Sequence, residues 1–287
     1  MGGGITLSAR MKALTDMVSV GNRVCDVGCD HGWVSIYLVQ QGISPKVLAM
    51  DVRQGPLSRA QEHIRQQGLE AYIETRLSDG VSALEIGETD TMICAGMGGR
   101  LIQRILEEGK EKTEDMQELI LQPQSEIPAF RAYLRQAGYV TVAENMIYED
   151  GKYYPMMKVV PRGKIMEDAL FVGACVSRTG NAGDREICGE KAEETPNGKI
   201  HGEKDGGIRN GIAEDPGKQL LWDHFGQLLL EEHHSVLKQY LLSAYENNRQ
   251  ILQQLREMAT ESGRTAERVS SLELEQELIR QALACYE

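Results

Sequence analysis

The nine residues Val24-Cys25-Asp26-Val27-Gly28-Cys29-Asp30-His31-Gly32 constrain this chain most. Val24 to Val27 is short and apolar with valine at both ends, the composition of a buried strand. A glycine-punctuated acidic turn follows, and Trp33 to Gln41 then reads as a helix. A strand feeding a helix through such a turn opens an α/β sheet, in which ligands sit at the carboxyl ends of the strands. The spacing is Asp-x-Gly-x-x-x-Gly, not the Gly-x-Gly-x-x-Gly of dinucleotide binders. A dinucleotide loop offers bare backbone N–H groups to a pyrophosphate. Here Asp26, Asp30 and His31 stand inside the loop, and its two carboxylates would repel a pyrophosphate.

The pattern repeats downstream. Strands are expected at Lys46–Asp51, Ala71–Leu77, Thr91–Ala95 and Leu119–Gln122. They alternate with helices over Gln54–Gln67, Arg100–Glu108 and Phe130–Gln136, after a first helix over Leu7–Val18. Such alternation predicts a mostly parallel sheet, a Rossmann-like doubly wound domain over residues 1–170. Tyr139–Ile147 and Tyr153–Val160 read as a closing antiparallel pair around Glu149-Asp150-Gly151-Lys152. From Ser177 to Gly217 glycine and charge dominate and apolar residues are sparse. Such a segment buries too little surface to offset its chain entropy, so 171–218 reads as a linker with a flexible insertion. Helical periodicity returns at Gln219 and runs through Leu221, Phe225, Leu229, Leu237, Leu241, Leu252 and Met258. Gly263 breaks it, and Val269, Leu272, Ile279 and Leu283 carry a second helix. Residues 219–287 therefore predict an antiparallel helical hairpin.

Charge limits the partners. The chain of 287 residues carries a formal net charge of −12. A nucleic-acid partner would need a local basic patch. No apolar run reaches membrane-spanning length, and the first residues lack a hydrophobic signal core. The six cysteines (25, 29, 94, 175, 188, 285) are scattered, with no second close pair to complete a zinc site. The expectation is a cytoplasmic protein with reduced thiols and no metal. His233-His234 reads as part of a solvated helix face.

Four acidic or glycine-rich signals then fall at consecutive strand ends: Asp26 with Asp30, Asp51, Asp79, and Gly96–Gly99. Asp51 stands where a carboxylate accepts both ribose hydroxyls of a nucleoside. Asp79 can accept from an exocyclic amino group such as that of adenine. Each could instead be a helix N-cap. A cofactor with a cationic middle and a nucleoside end suits this acidic edge, and S-adenosylmethionine has both without a phosphate. The candidate cofactor residues are Asp26, Gly28, Asp30, His31, Gly32, Asp51, Val52, Ser78, Asp79, Gly80, Ala95, Gly96 and Met97.

Several segments are more specific. Leu7-Ser8-Ala9-Arg10, Asp26 to His31, Asp79-Gly80, Ala95-Gly96-Met97-Gly98-Gly99 and Leu121-Gln122-Pro123-Gln124 resemble the bacterial tRNA (adenine-22 N1)-methyltransferase family. The resemblance runs over residues 5–170. It implies a class I methyltransferase domain, S-adenosylmethionine as donor with S-adenosylhomocysteine as product, and methylation of adenine N1 in tRNA. It also implies a coiled-coil-like C-terminal domain that helps hold tRNA. For that reaction Asp30 is a candidate catalytic group, for tolerating the cationic product or positioning the adenine amino group. Gln122 is a candidate for the base edge. Arg10, Lys12, Arg53, Arg100, Arg104 and Arg131 are candidates for phosphate contacts. The competing readings are a methyltransferase of a small molecule or protein, a non-catalytic RNA-binding module of the same fold, and a nicotinamide dehydrogenase. The missing Gly-x-Gly-x-x-Gly disfavours the last.

Overall fold

The computed structural model describes residues 5–164, 215–257 and 263–287. Strands β1 (Val24–Val27), β2 (Val47–Asp51), β3 (Ile73–Leu77), β4 (Thr91–Met97) and β5 (Glu118–Pro123) run parallel. Strands β6 (Tyr139–Glu149) and β7 (Lys152–Pro161) form a hairpin, and β7 pairs antiparallel with β5. The seven-stranded sheet has the order β3-β2-β1-β4-β5-β7-β6. The order reverses between β1 and β4, so the crevice of this doubly wound sheet opens there. The expected strands lie where the sequence put them, within a few residues at their ends.

Both faces of the parallel part are covered, which is why its strands are near-continuous apolar runs. Alternate residues serve opposite faces. Val24, Val47, Ala49, Ile93 and Ile120 pack beneath α1 (Ala9–Asp16), α2 (Trp33–Gln40) and α3 (Gln54–Gln66). Cys25, Val27, Leu48, Met50, Met92, Cys94, Leu119 and Leu121 pack beneath α4 (Gly99–Glu108) and α6 (Ile127–Gln136). A short helix, α5 (Lys110–Asp115), separates α4 from β5. The sequence gives no sign of it, because of Lys110–Asp115 only Thr113 is buried. Buried Glu118 ties the turn after α1 to the sheet: it accepts from the Ser19 N–H (2.7 Å), the Ser19 hydroxyl (2.6 Å) and the Thr91 hydroxyl (3.0 Å) and pairs with Lys158.

The C-terminal region departs from the expected pair of helices. Residues 216–257 form three: α7 (Pro216–Phe225), α8 (Gln227–Glu231) and α9 (Ser235–Glu257). Gly226 at φ +92° and His233 at φ +52° make the breaks. At Gly226 a Cβ would stand 2.6 Å from both carboxylate oxygens of Glu144, so only glycine fits this turn. α9 and α10 (Gly263–Ala284) then pack as the expected hairpin, with Leu252 and Leu272 buried in it. Asp215 accepts from the Gly217 N–H (3.0 Å) and caps α7, so the last residues of the expected linker are helical. The remainder of that linker, Phe171–Gly173, Cys175 and Cys188 included, lies outside the described residues.

A third core cluster joins this region to the sheet. It contains Met146 of β6 with Leu221, Trp222, Phe225, Leu229, Leu237, Leu241 and Ile279. A buried ion pair sits beside it. Arg131 on α6 donates to Glu144 on β6 (2.9 Å) and to the carbonyls of Asp223 and His224 at the end of α7 (3.3 and 3.1 Å). Glu144 accepts the Leu228 N–H at the start of α8 (3.1 Å). One pair thus satisfies backbone groups at two helix ends that would otherwise be orphaned. Arg131 is therefore a structural cation, not a phosphate contact. Half-buried His234 bonds Asn145 (3.0 Å), so it does not lie on a solvated face. Among the described residues no group of three or more His, Cys, Asp or Glu side chains could hold a metal. Among them, too, no helix is long and apolar enough to cross a membrane.

Candidate active site

At the carboxyl edge of β1–β4 lies a cleft of about 580 Å³. Its wall includes Gly28, Asp30, Asp51, Val52, Ser78, Asp79, Gly80, Ala95, Gly96 and Met97, all expected from the sequence. Strand order dictates this. β1, β2, β3 and β4 are neighbours, so their terminal loops converge on one edge.

Local chemistry fixes each part. Gly28 has φ +78°, and a Cβ there would fall on the Met97 methyl group; glycine leaves that floor open. Asp30 takes φ +47°, which aspartate tolerates better than most residues. Its N–H donates to Asp51 Oδ2 (3.4 Å). The Arg53 N–H donates to Asp51 Oδ1 (2.9 Å), so both oxygens of this buried carboxylate are held in place with lone pairs to spare. The Ser78 N–H donates to the Asp51 carbonyl (2.9 Å) and its hydroxyl to the Gly80 carbonyl (2.9 Å), which folds the turn after β3. Asp79 accepts from Arg104 (3.0 Å). Val52 is exposed beside Asp51, an apolar side chain with nothing covering it.

Four expected site residues lie off the cleft wall. Asp26 shares a sheet face with Val24, so its side chain meets α2 and accepts from the Ser35 hydroxyl (2.7 Å). Gly32 starts α2 at φ +74°, where a Cβ would meet the Ala60 methyl at 3.1 Å; its absence serves helix packing. The His31 carbonyl contacts His63 Nδ1 (2.9 Å), and its ring lies 3.5 Å from Asp30. Gln122 is buried behind Gly96. Its Oε1 accepts from the Gly96 N–H (3.2 Å) and from Arg10 (3.1 Å). Alternation along β1 and β5 carries the signal that separates these faces: Asp26 follows Val24 and Gln122 follows Ile120 by two residues.

Burial pushes the Asp26 carboxyl up to about 6, helped by the nearby Asp51 charge and opposed by the Ser35 hydrogen bond. The unfolded chain releases this proton near 3.8. The stability it contributes is therefore full below about pH 4 and is lost as the pH rises through about 6. A two-unit shift corresponds to about 3 kcal/mol at the upper limit. Asp26→Asn keeps an acceptor for Ser35 and cannot ionise. Urea unfolding of both proteins from pH 4 to 7 is expected to show wild type losing ground to the variant. Parallel curves would place the Asp26 proton elsewhere.

Sequence reasoning missed Met11, Leu101, Ile105 and Gln124, which also line the cleft. Leu101 is an exposed apolar residue on an amphipathic helix, a weak signal; Met11 and Ile105 had none beyond core periodicity. The basic candidates divide. Arg10, Arg53 and Arg104 line the cleft. Lys12 pairs with Asp16, and Arg100 with Glu126.

A family model for a methyltransferase domain matches residues 7–157, more than half of the chain. The tRNA (adenine(22)-N(1))-methyltransferase of Bacillus subtilis (strain 168) is 33% identical over 173 residues, 60% of this chain and 71% of that protein. The solved structure of Streptococcus pneumoniae Sp1610 in complex with S-adenosyl-L-methionine is 26% identical, with a TM-score of 0.68 over 97% of this chain and all of that one. M. capricolum TrmK, solved with S-adenosyl-homocysteine, shares the fold at 20% identity, with a TM-score of 0.67 over 99% of this chain and 100% of that one.

Proposed function

The chain belongs to the tRNA (adenine-22 N1)-methyltransferase family, and from that premise we propose that it methylates N1 of adenine 22 in tRNA with S-adenosylmethionine as donor. The observation that carries the reading is the acidic cleft at the β1–β4 edge, with Asp51 held between two backbone N–H groups. A buried carboxylate with fixed oxygens suits the paired hydroxyls of a ribose. Val52 offers an apolar surface to a nucleobase, and Asp79 an acceptor for its amino group. The open floor at Gly28 and Met97 leaves room for the chain between nucleoside and sulfur. Asp30, exposed at the mouth, suits a sulfonium and an ammonium.

S-Adenosylmethionine supplies an activated methyl group bonded to a positive sulfur. Adenine N1 carries its own in-plane lone pair, so no residue is required to remove a proton first. The new N–C bond takes that pair, and the electrons of the S–C bond return to sulfur, leaving a neutral thioether and a cationic base. The chain's part is alignment and charge. In this reading Asp30, exposed on the cleft wall, is the carboxylate that tolerates the cation. N1 is a Watson–Crick atom, so the target base must be unpaired or turned out of its stack. Lys and Arg side chains near the cleft must hold phosphates locally, since the chain as a whole is acidic.

The test is a methylation assay with unmodified tRNA and labelled S-adenosylmethionine. N1-methyladenine at position 22 is expected, and none when that adenine is replaced by guanine. Cofactor binding with label in a small molecule or protein instead would favour the competing methyltransferase reading.

A further inference from the structure

Adenine N1 lies on the Watson–Crick edge, so a base whose N1 faces a methyl group cannot be held by that edge. The Hoogsteen edge, where the 6-amino group stands beside N7, is left free. It presents a donor next to an acceptor, whereas guanine presents two acceptors there. A side-chain amide complements the adenine pattern, because it carries an acceptor and a donor side by side. Among the described residues that line the cleft, Gln124 alone has one.

The fold sets this amide on the β5 side of the cleft. The nucleoside end lies at β2 and β3, and the open floor at Gly28 and Met97 belongs to β1 and β4. A base that meets a methyl group above that floor enters from beyond it, and β5 is the next strand in the sheet. Gln124 follows β5. Its N–H donates to the Met97 carbonyl (2.8 Å), and the Gly99 N–H donates to the Ser125 carbonyl (3.1 Å), so the loops after β4 and β5 are clamped together. A Cβ at Gly99 would stand 2.6 Å from that Ser125 oxygen; glycine permits the clamp. A Cβ at Gly96 would stand 3.8 Å from Gln124 Nε2, so the amide rests beside bare backbone at the cleft rim. The residue is exposed, and among the described residues no group bonds to its amide. Gln122 is the contrast. It is 1% exposed, and its oxygen is taken by Arg10 and Gly96, so it has no acceptor to offer a base.

Resting on the methyltransferase reading, we propose that Gln124 reads the Hoogsteen edge of the target adenine, its Oε1 accepting from the 6-amino group and its Nε2 donating to N7. The reaction strengthens the first of these bonds. As N1 takes the methyl group, positive charge spreads through the ring to the amino group, whose N–H becomes a better donor. The bond to Oε1 is therefore tighter in the transition state than with the bound substrate, and it raises kcat more than it lowers KM. The bond to N7 fixes the base in its plane, which keeps N1 in line with the sulfur–carbon bond.

Two tRNAs test this on the full chain, one with adenine at position 22 and one with 7-deazaadenine, which lacks the N7 acceptor. Gln124→Met is expected to lower kcat/KM on the adenine tRNA about tenfold to a hundredfold, the range of one bidentate base contact. The loss should lie mainly in kcat, and it should shrink on the 7-deazaadenine tRNA. Comparing variant with wild type on each tRNA cancels that base's own reactivity. Gln124→Glu keeps an acceptor for the amino group but has no donor for N7, and on adenine it should fall between the two. Affinity for S-adenosylhomocysteine, read by calorimetry, is expected to be unchanged in both variants. An unchanged kcat/KM in Gln124→Met, or an equal loss on both tRNAs, would overturn the proposal. Weakened S-adenosylhomocysteine binding would overturn it too, by placing Gln124 at the donor. If wild type puts no methyl group on adenine 22, the methyltransferase reading itself fails, and the proposal with it.

Discussion

Replacing Arg131 with methionine is expected to destabilise the protein by about 3–5 kcal/mol, the cost of leaving one partner of a buried ion pair alone. Arg131 and Glu144 are 8% and 2% exposed, so neither charge can be rehydrated without opening the structure. The variant strands more than Glu144. The carbonyls of Asp223 and His224 lose their donor at the end of α7. Glu144 keeps only the Leu228 N–H. The double variant Arg131→Met with Glu144→Met should recover part of the loss, because a pair replaced by apolar groups costs less than a broken one. Gly226→Ala should act on the same joint through the 2.6 Å approach to Glu144. Urea unfolding midpoints test all three. An unchanged midpoint for Arg131→Met would mean that the joint between α7 and the sheet is solvated. The damage should be confined to that joint: the cofactor cleft is built from β1–β4 and their loops, so S-adenosylhomocysteine binding is expected to survive in the folded fraction.

That joint also marks what could be read from the sequence and what could not. β1 and β2 are buried along their whole length, and a short apolar run bounded by turns announces such strands. The convergence of Asp30, Asp51, Asp79 and Gly96 followed from those strands, because parallel neighbours end on the same edge. The division of Leu221 to Met258 was hidden. Its apolar spacing continues through Gly226, and the glycine breaks the helix because Glu144, more than eighty positions earlier, occupies the space beside it. No local pattern contains that contact. Asp26 and Gln122 were hidden in a different way. Their types suggested chemistry, but the face of the strand or helix decides what a side chain meets. Asp26 turned to Ser35, and Gln122 to Arg10.

Asp51 is where a single substitution should weaken cofactor binding most. Asp51→Ala is expected to lower the affinity for S-adenosylhomocysteine about a hundredfold, the scale of losing two hydrogen bonds to a charged acceptor. Two effects act together. The carboxylate that suits the ribose hydroxyls disappears. The N–H groups of Asp30 and Arg53 also lose their acceptor, so the loop after β1 and the turn after β2 lose the atom that registers them to each other. Asp51→Asn separates these effects. It keeps one oxygen acceptor for a loop N–H, but its amide donates where a carboxylate would accept. If orientation of the loops dominates, Asn should restore most of the affinity; if the ribose contact dominates, Asn should bind nearly as poorly as Ala. Burial favours the second outcome, since a misdirected amide has no solvent to turn toward. 2′-Deoxy and 3′-deoxy analogues of S-adenosylhomocysteine provide the matching probe. Each should bind wild type more weakly than the parent, and the penalty should shrink in Asp51→Ala, where the hydroxyl has already lost its partner. Affinity that is unchanged in Asp51→Ala would remove Asp51 from the ribose role and move the nucleoside away from the β2 edge.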